Sequence, residues 1–368
     1  MKNNLIDTDY INQKEKALVE LFISKNSDTK KYILGINKLT KAVLKQIEVD
    51  GVIDDFSRVQ RSRKKEILQI DDVPKDALIL WVATGSPLEV KNRLDDMGFL
   101  NVSYLALYKY SNLDLLSPPF ITDFKDDFRD NYERYNSIYN LLADRKSKDI
   151  FEKVINFKIS FDYNFMKGFT NNHSEQYFDK ELIPNIKNIS FVDGGGYVGD
   201  TASEVIKNFP DFKKIYLIEP IVENMCIAKR DLVNYQNIVF LECGISNRKE
   251  ILYFNEEKSF STIYGKGTNS VEVDTIDNIV DEKVDFIKLD IEGAEQDAID
   301  GAIDTIQKYK PILAICIYHK AEDWYKIPEK VLAIETNYDV YIRHYMEGIF
   351  ETVIYFIPKK NHLLPPFI

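Results

Sequence analysis

Short apolar runs alternate with amphipathic segments in two stretches of the chain. The first stretch contains the runs 31–36, 77–83 and 102–106, separated by segments with helical periodicity. The second begins near residue 189 and contains runs at 189–193, 214–219, 238–242, 285–290 and 311–318. Because buried strands that alternate with helices are typical of parallel sheets, each stretch predicts an α/β domain.

The last apolar segments follow a different pattern. Residues 338–345 and 350–357 flank the turn-like residues 346–348, which predicts an antiparallel hairpin. The second stretch is therefore expected to form a doubly wound, mostly parallel sheet with this hairpin at its edge. Residues 120–180 are charged, aromatic and helix-permissive. We predict an N-terminal Rossmann-like α/β domain at 1–116, a helical connector at 117–184 and a larger Rossmann-like domain at 185–368.

The composition excludes some classes of function. The chain has 368 residues, 45% of them hydrophobic, which is enough for two cores. Its net charge of -11 argues against a broad nucleic-acid surface. Cys226, Cys243 and Cys316 lack metal-binding spacing, as expected in a reducing compartment. Since the first residues are polar and no apolar run reaches about 18 residues, we expect a cytoplasmic protein without a membrane span.

A glycine-rich segment carries the strongest local signal. Gly194, Gly196 and Gly199 fit the pattern G-x-G-x-x-G, directly after a predicted strand and before a predicted helix. Glu219 ends the next strand, where a carboxylate can accept hydrogen bonds from both hydroxyls of a ribose. These features together predict a nucleoside cofactor.

The charge of Asp193 bears on which cofactor is bound. This residue precedes the glycines and would repel a pyrophosphate. S-adenosylmethionine has no phosphate and carries a cationic sulfonium and an ammonium group, so an acidic residue suits it better. Asp200 and Thr201 either contact the cofactor or cap the following helix.

A second group of ionisable residues follows the strand at 285–290. Lys288, Asp290 and Glu292 alternate, so they share one face if the chain stays extended. Glu295 begins a helix, where the helix dipole favours a carboxylate. His319 ends the next strand and is the candidate general base, with Asp290 or Glu292 orienting it.

Three alternatives remain open at this point. A nicotinamide-dependent nucleotide-sugar oxidoreductase or epimerase would need a Tyr-x-x-x-Lys pair downstream of the glycines, but Tyr163 and Lys167 lie upstream. A non-catalytic chain could bind nucleotide sugars. Asp290 and Glu292 also offer hard oxygen ligands for a divalent metal, although a metal is not favoured.

Taken together, the chain resembles the FkbM family of methyltransferases over about residues 160–358. The matching segments are 175–178, 192–201, 218–220, 286–295, 310–320, 341–345 and 351–355. The resemblance implies a class I methyltransferase fold, S-adenosylmethionine as methyl donor, and O-methylation of a hydroxyl in a surface polysaccharide or secondary metabolite. The implied acceptor is a sugar, nucleotide sugar or glycan. We expect no nucleic-acid partner, and a homo-oligomer is compatible with the sequence.

The expected site follows from the motifs and from this resemblance. The cofactor-binding residues are Asp193, Gly194, Gly195, Gly196, Tyr197, Gly199, Asp200, Thr201, Glu219, Cys243 and Asp290. The catalytic residues are His319, Asp290, Glu292 and Lys288, and the substrate-binding residues are Asp323, Arg343 and His344. The N-terminal domain resembles the nucleotide-binding half-domains of sugar-modifying enzymes, but its loop at residues 35–37 lacks the second glycine.

Overall fold

The computed structural model describes residues 5–55, 61–62, 65–254 and 269–359. The chain packs as two units. Unit 1 comprises Met1–Arg129, Glu152–Asn171 and Met346–Ile349, and unit 2 comprises Asp130–Phe151, Asn172–Tyr345 and Phe350–Ile368. The predicted connector is helical, and its residues are divided between the two units. The domain boundaries at 116 and 184 stay a prediction.

Unit 1 contains a six-stranded sheet in the order β3-β4-β2-β1-β5-β6. All neighbouring strands are parallel except β3 and β4. The strands are β1 Lys31–Leu34, β2 Gly51–Ile53, β3 Arg61–Ser62, β4 Lys65–Leu68, β5 Leu78–Trp81 and β6 Leu100–Ser103. The predicted α/β character of this part of the chain is confirmed.

The first helices have recognisable start signals. They are α1 Gln13–Ile23, α2 Lys38–Val43, α3 Pro87–Asp96 and α4 Tyr104–Tyr110. The side chain of Asn37 caps α2 and forms a capping box with Thr40, and Pro87 occupies the first turn of α3. Val19 and Phe22 of α1 are buried in the same apolar core as Ile33 and Leu80.

Three further helices follow, α5 Phe124–Asp130, α6 Tyr132–Leu141 and α7 Arg145–Ser160. The main sheet of unit 2 then has seven strands in the order β15-β16-β14-β13-β7-β8-β9. They are β7 Ser190–Gly194, β8 Lys214–Ile218, β9 Ile238–Leu241, β13 Phe286–Leu289, β14 Ile312–Cys316, β15 Tyr338–His344 and β16 Thr352–Pro358. Strands β14, β13, β7, β8 and β9 are parallel, whereas β16 runs antiparallel to β14 and β15. The predicted mostly parallel sheet with a terminal hairpin is confirmed.

The helices of unit 2 connect these strands. They are α8 Asp200–Asn208, α9 Val222–Asp231, α10 Ile276–Ile279, α11 Glu295–Asp300, α12 Ile303–Tyr309 and α13 Asp323–Ile334. Gly199 precedes α8 as its N-cap with a φ of +85°. Asp200 and Thr201 therefore lie in the first helical turn and do not cap it. No helix in the described residues is long and apolar enough to cross a membrane.

A small sheet in unit 2 was not predicted. Its strands, in the order β10-β12-β11, are β10 Gly244–Ile245, β11 Glu250–Phe254 and β12 Asn269–Asp274. Ile251 and Tyr253 of β11 are about half exposed. A half-buried strand usually alternates apolar residues on its buried face with polar residues on its exposed face, and β11 does not follow this alternation.

The strand order brings distant residues to one edge of the seven-stranded sheet. Parallel strands β8, β7, β13 and β14 all end at this edge, and antiparallel β16 starts there, with Cys316 opposite Val353. Glu219, Asp290 and Glu351 therefore follow one another along the edge. The order of strands reverses between β7 and β13, where ligands of such folds bind.

Candidate active site

The glycine loop joins β7 to α8 in a conformation that requires glycine. Gly195 has a φ of +77°, and a Cβ on it would lie 1.9 Å from the carbonyl oxygen of Asp290. The N–H groups of Gly195 and Gly196 both donate to the carbonyl of Ile218, at 3.0 and 2.9 Å. The loop therefore lies tightly across the ends of β7, β8 and β13.

Glu219 follows β8 and contacts the loop from its other side. Its Oε2 accepts the backbone N–H of Tyr197 at 3.0 Å, and its Oε1 accepts that of Ile221 at 2.9 Å. Tyr197 has a φ of +43°. Two backbone donors thus orient the Glu219 carboxylate beside the glycine loop.

A cavity of about 870 Å³ opens along this edge and is lined by residues of unit 2. Its apolar wall includes Ile245, Leu252 and Val271 of the small sheet. The predicted site residues that line it are Gly195, Tyr197, Asp200, Thr201, Glu219, Cys243, Lys288, Asp290 and Glu292. The predicted residues outside this lining, within the described chain, are Asp193, Gly194, Gly196, Gly199, His319, Asp323, Arg343 and His344.

Asp290 follows β13, and its carboxylate is surrounded by polar groups. Its Oδ2 accepts the hydroxyl of Tyr177 at 2.9 Å, and its Oδ1 accepts that of Tyr318 at 3.1 Å. Burial raises the pKa of this carboxyl, but the charges of Lys288 and His319 and the two hydrogen bonds hold it below its usual value. Asp290 is therefore an ionised group in a fixed orientation.

Lys288 is enclosed directly behind Asp290. Its Nζ lies 3.1 Å from Oδ1 of Asp193 and donates to the carbonyl of Gly195 at 2.6 Å. Burial lowers the pKa of Lys288, but the neighbouring carboxylates, Asp193 foremost, raise it above its usual value. Burial raises the pKa of Asp193 to about 6 despite this partner. The pair ties β13 to β7 and to the glycine loop.

His319 follows β14, and its side chain is fully enclosed. Its Nδ1 lies 3.1 Å from Oε1 of Glu295, and its Nε2 lies 3.5 Å from Asp290 and 3.8 Å from Glu292. Burial lowers the pKa of the imidazole, but the three carboxylates, Glu295 first, raise it to about 9. The ring is therefore an imidazolium at neutral pH, with its charge directed at carboxylates.

Arg343, a predicted substrate residue, is buried in β15. Its guanidinium contacts Oδ2 of Asp144 at 2.7 Å and Oδ2 of Asp179 at 3.0 Å, and its Nη1 donates to Ser147 at 2.9 Å. These contacts account for the buried charge within the protein itself. A role for Arg343 in substrate binding stays a prediction.

The other two predicted substrate residues are also buried. Asp323 accepts a hydrogen bond from Gln296 at 2.8 Å at the start of α13, and burial raises the pKa of Asp323 to about 7. Nδ1 of His344 lies 2.9 Å from Oγ1 of Thr352. Their roles in substrate binding stay predictions.

Sequence reasoning missed several residues at the cavity. Gln176, Tyr177, Tyr318 and Glu351 all line it. Gln176 and Tyr177 lie before the first strand of the large sheet, and Glu351 lies just before its last strand. Their segments were part of the family resemblance, but only the folded chain brings them to Asp290.

A divalent metal at Asp290 and Glu292 is the alternative that the sequence leaves open. Both oxygens of Asp290 already accept tyrosine hydroxyls, and the cationic Lys288 and His319 lie close to it. The surroundings of Asp290 fit a carboxylate paired with protein cations better than a metal ligand, so we derive no step through a metal.

The residues at the strand ends do fit S-adenosylmethionine. Glycine backbone lies across the switch point, Glu219 is fixed beside it, and the charged groups along the cavity are mainly carboxylates. The strand order, the terminal hairpin and this edge define the Rossmann-like domain of an S-adenosylmethionine-dependent methyltransferase.

Comparison with known families agrees with this class. Residues 193–346 match the model of the methyltransferase FkbM domain. None of the curated proteins matches the sequence.

One solved structure supports the fold, and two others match it weakly. A methyltransferase FkbM from Methylobacillus flagellatus KT matches with a TM-score of 0.74 at 21% identity, covering 96% of each chain. An rRNA methylase from Streptococcus thermophilus matches with a TM-score of 0.34 at 13% identity, covering 51% of this chain and 96% of its own. Fibrillarin from Aeropyrum pernix, with natively bound S-adenosyl-L-methionine, matches with a TM-score of 0.30 at 15% identity, covering 48% of this chain and 69% of its own.

Proposed function

We propose that this chain transfers the methyl group of S-adenosylmethionine to a hydroxyl of a sugar or glycan acceptor. The observation that carries this proposal is the charge of the cavity lining in the described residues. Its carboxylates are Asp200, Glu204, Glu219, Asp290, Glu292, Asp297 and Glu351. Its lysines are Lys288 and Lys320, and Lys288 is already paired with Asp193. Such a lining attracts a cationic cofactor.

The cofactor is proposed to lie across the switch point between β7 and β13. Glu219 is placed to accept the ribose hydroxyls, and the apolar wall near Cys243 and Ile245 suits the adenine. Asp290 and the glycine loop then face the end of the cofactor that carries the sulfonium and the ammonium group. Asp193 lies outside the cavity lining and acts through its ion pair with Lys288.

The acceptor is proposed to occupy the other end of the cavity, beyond Asp290. Gln176, Tyr177 and Tyr318 line this end with amide and hydroxyl groups, which are suited to the hydroxyls of a sugar. A phosphate at this place would face Asp290 and Glu351. We therefore propose an uncharged sugar at the reacting position, with any phosphate of a nucleotide sugar lying elsewhere.

A nicotinamide cofactor is less suited to this site. Its pyrophosphate would face the acidic lining, which includes Asp200 and Glu219. Tyr163 is buried and Lys167 is exposed, and both belong to unit 1, whereas the cavity is lined by unit 2. The pair that an oxidoreductase of this type requires is therefore not among the lining residues of the described chain.

Calorimetric titration tests the cofactor. We expect S-adenosylmethionine to bind at micromolar concentration, and NAD and NADP not to bind. Glu219→Gln should weaken binding by about tenfold or more, because hydrogen bonds to a charged group contribute roughly 1.5–3 kcal/mol. The matched control is Glu223→Gln at an exposed position of α9, which should bind like wild type. Binding of NAD alone would contradict the proposal.

An acceptor screen tests the reaction. Formation of S-adenosylhomocysteine is measured with neutral monosaccharides, oligosaccharides and nucleotide sugars, and the methylated atom is then located by mass spectrometry. We expect transfer to oxygen. Transfer to nitrogen or carbon, or turnover with amines only, would overturn the proposed acceptor class while leaving the methyltransferase class intact.

A further inference from the structure

The inference concerns the proton that methyl transfer releases, and it rests on the proposed function. When bound, S-adenosylmethionine supplies an activated methyl group. The acceptor oxygen forms the new C–O bond, the electron pair of the broken S–C bond returns to sulfur, and the hydroxyl proton must leave. A general base near the acceptor therefore has a defined task.

Three of the ionisable groups at the edge are poorly suited to this task. His319 is enclosed and already protonated between Glu295 and Asp290. Lys288 is enclosed and cationic. Asp290 accepts two tyrosine hydroxyls, and the charges around it lower its pKa, so it is a weak base.

Glu351 reaches the same edge of the sheet through β16, which runs antiparallel to β14. It directly precedes β16 and lines the cavity. Its backbone has a φ of +64°, in the left-handed region that is strained for a residue with a side chain. Gln176 donates a hydrogen bond to its Oε2, which holds the carboxyl in place. The left-handed backbone and the hydrogen bond from Gln176 together fix the position of the Glu351 carboxyl.

The surroundings of Glu351 keep its carboxyl basic. Carboxyl oxygens of Glu351 and Asp290 and the sulfur of Cys316 lie within 4.8 Å of one another. Burial, then the charge of Asp290, raises the pKa of Glu351 to about 7, against the opposing effects of Gln176, Lys288 and His319. The neutral hydroxyls of Tyr177 and Tyr318 lie in the same group, because both donate hydrogen bonds to Asp290.

Glu292 is the competing carboxylate. It also has a left-handed backbone, with a φ of +56°, and it also lines the cavity. Half of its side chain is exposed, however, and it lies 3.8 Å from the charged ring of His319. Burial raises the pKa of Glu292 as well, and the charge of His319 opposes this rise. Glu292 is more exposed to solvent than Glu351, however, and Gln176 holds the carboxyl of Glu351 instead.

We propose that Glu351 accepts the proton of the acceptor hydroxyl as the methyl group is transferred. The products are then a methyl ether, neutral S-adenosylhomocysteine and a protonated Glu351, which returns its proton to solvent before the next turnover. His319 acts as a positioning residue, because its charge orients Asp290 and Glu292.

The first experiment needs no acceptor. S-adenosylmethionine is titrated calorimetrically at pH 7 in buffers of different ionisation enthalpy, which reports the protons released on binding. A cation that binds beside Asp290 should ionise Glu351 and release up to roughly half a proton. Glu351→Gln should abolish this release and weaken cofactor binding by about three- to tenfold, because a carboxyl that the cofactor ionises also stabilises the bound cation. Glu292→Gln should retain the release.

The second experiment uses turnover of neutral sugar glycosides over pH 5.5–9. In the wild type, kcat/KM for the cofactor should rise through an inflection near pH 7, where Glu351 titrates in the free protein, and the inflection in kcat should lie at lower pH because the bound cation favours ionised Glu351. Glu351→Gln should lower kcat by about 10²–10⁴-fold with a much smaller change in cofactor KM, and Glu351→Asp should restore part of the rate and the inflections.

The outcomes separate the two proposals. Failure of S-adenosylmethionine to bind overturns the proposed function itself. Binding by the wild type combined with unchanged proton release in Glu351→Gln overturns the role of Glu351. Loss of proton release in Glu292→Gln alone transfers the role to Glu292, and a kcat inflection lost only in His319→Gln transfers it to His319.

Discussion

Nζ of Lys288 lies 3.1 Å from Oδ1 of Asp193, and the two residues are direct neighbours on adjacent strands β13 and β7. Both side chains are enclosed, with at most 3% of either exposed. A buried charge of this kind is tolerated because its partner is in place. The pair therefore links the strand that carries Asp290 to the strand that leads into the glycine loop.

Removal of Lys288 should destabilise the fold. Lys288→Met leaves Asp193 buried without its cation, so the carboxyl must either stay charged and unpaired or take up a proton, and loss of one partner of a buried pair costs about 3–5 kcal/mol. The free energy of unfolding in urea measures this. Lys283→Met is the control. Lys283 is exposed, and an exposed ion pair such as the one it forms with Asp285 contributes about 0–1 kcal/mol. Equal stability losses in the two variants would contradict a structural role for the buried pair.

Stability should depend on pH through His319. Its pKa is raised from a reference near 6.5 to about 9, so its contribution is fully present below about pH 6.5 and is lost as pH rises through 9. The difference in unfolding free energy between wild type and His319→Gln should shrink by roughly 2–3 kcal/mol over that range. Urea unfolding at pH 6, 7.5 and 9.5 measures it. His173→Gln, at an exposed position, should not reproduce this trend, and a difference that is constant with pH would refute it.

Gly195 should tolerate no side chain. A Cβ there would lie 1.9 Å from the carbonyl oxygen of Asp290, and its φ is +77°. Gly195→Ala should reduce affinity for S-adenosylmethionine by at least about 100-fold or lower the melting temperature, since a strained backbone alone costs roughly 1–3 kcal/mol. Gly85→Ala is the matched control, because nothing lies within 4 Å of its added Cβ. Wild-type affinity and stability in Gly195→Ala would show that the loop relaxes freely.

Arg343 should contribute mainly to stability. Arg343→Met leaves Asp144 and Asp179 without their buried cation and should cost about 3–5 kcal/mol of unfolding free energy. Arg145→Met, which breaks an exposed pair with Asp149, should cost less than about 1 kcal/mol. A stable Arg343→Met protein with a raised KM for the acceptor would support the substrate role predicted from the sequence.

Local sequence patterns were sufficient for most of the large sheet. The run around Phe191 is continuous and apolar because β7 is buried on both faces, and the glycines after it allow only a tight turn. The antiparallel hairpin could be predicted from two apolar segments around residues 346–348. The three-stranded sheet could not, because β10 is two residues long and pairs with Asp274 rather than with a neighbour in sequence.

Candidate chemistry was predictable where a motif is continuous along the chain. Lys288, Asp290 and Glu292 are close in sequence, and all three line the cavity. Arg343 is predicted to bind substrate because it lies in the terminal hairpin, where a guanidinium could meet an anionic sugar or phosphate. Its carboxylate partner Asp144 lies 199 residues away, so no local pattern could have indicated that pair.

The spacing of apolar residues and glycines thus determined the strands and the tight loop, because these depend on backbone geometry and on burial of neighbouring positions. Only the tertiary structure decided which charges meet. Gln176 and Glu351 are 175 residues apart, yet they are hydrogen-bonded beside Asp290 because β16 enters the sheet antiparallel to β14. Whether a carboxyl is a strong or a weak base depends on such neighbours and on burial, and both arise only when the chain has folded.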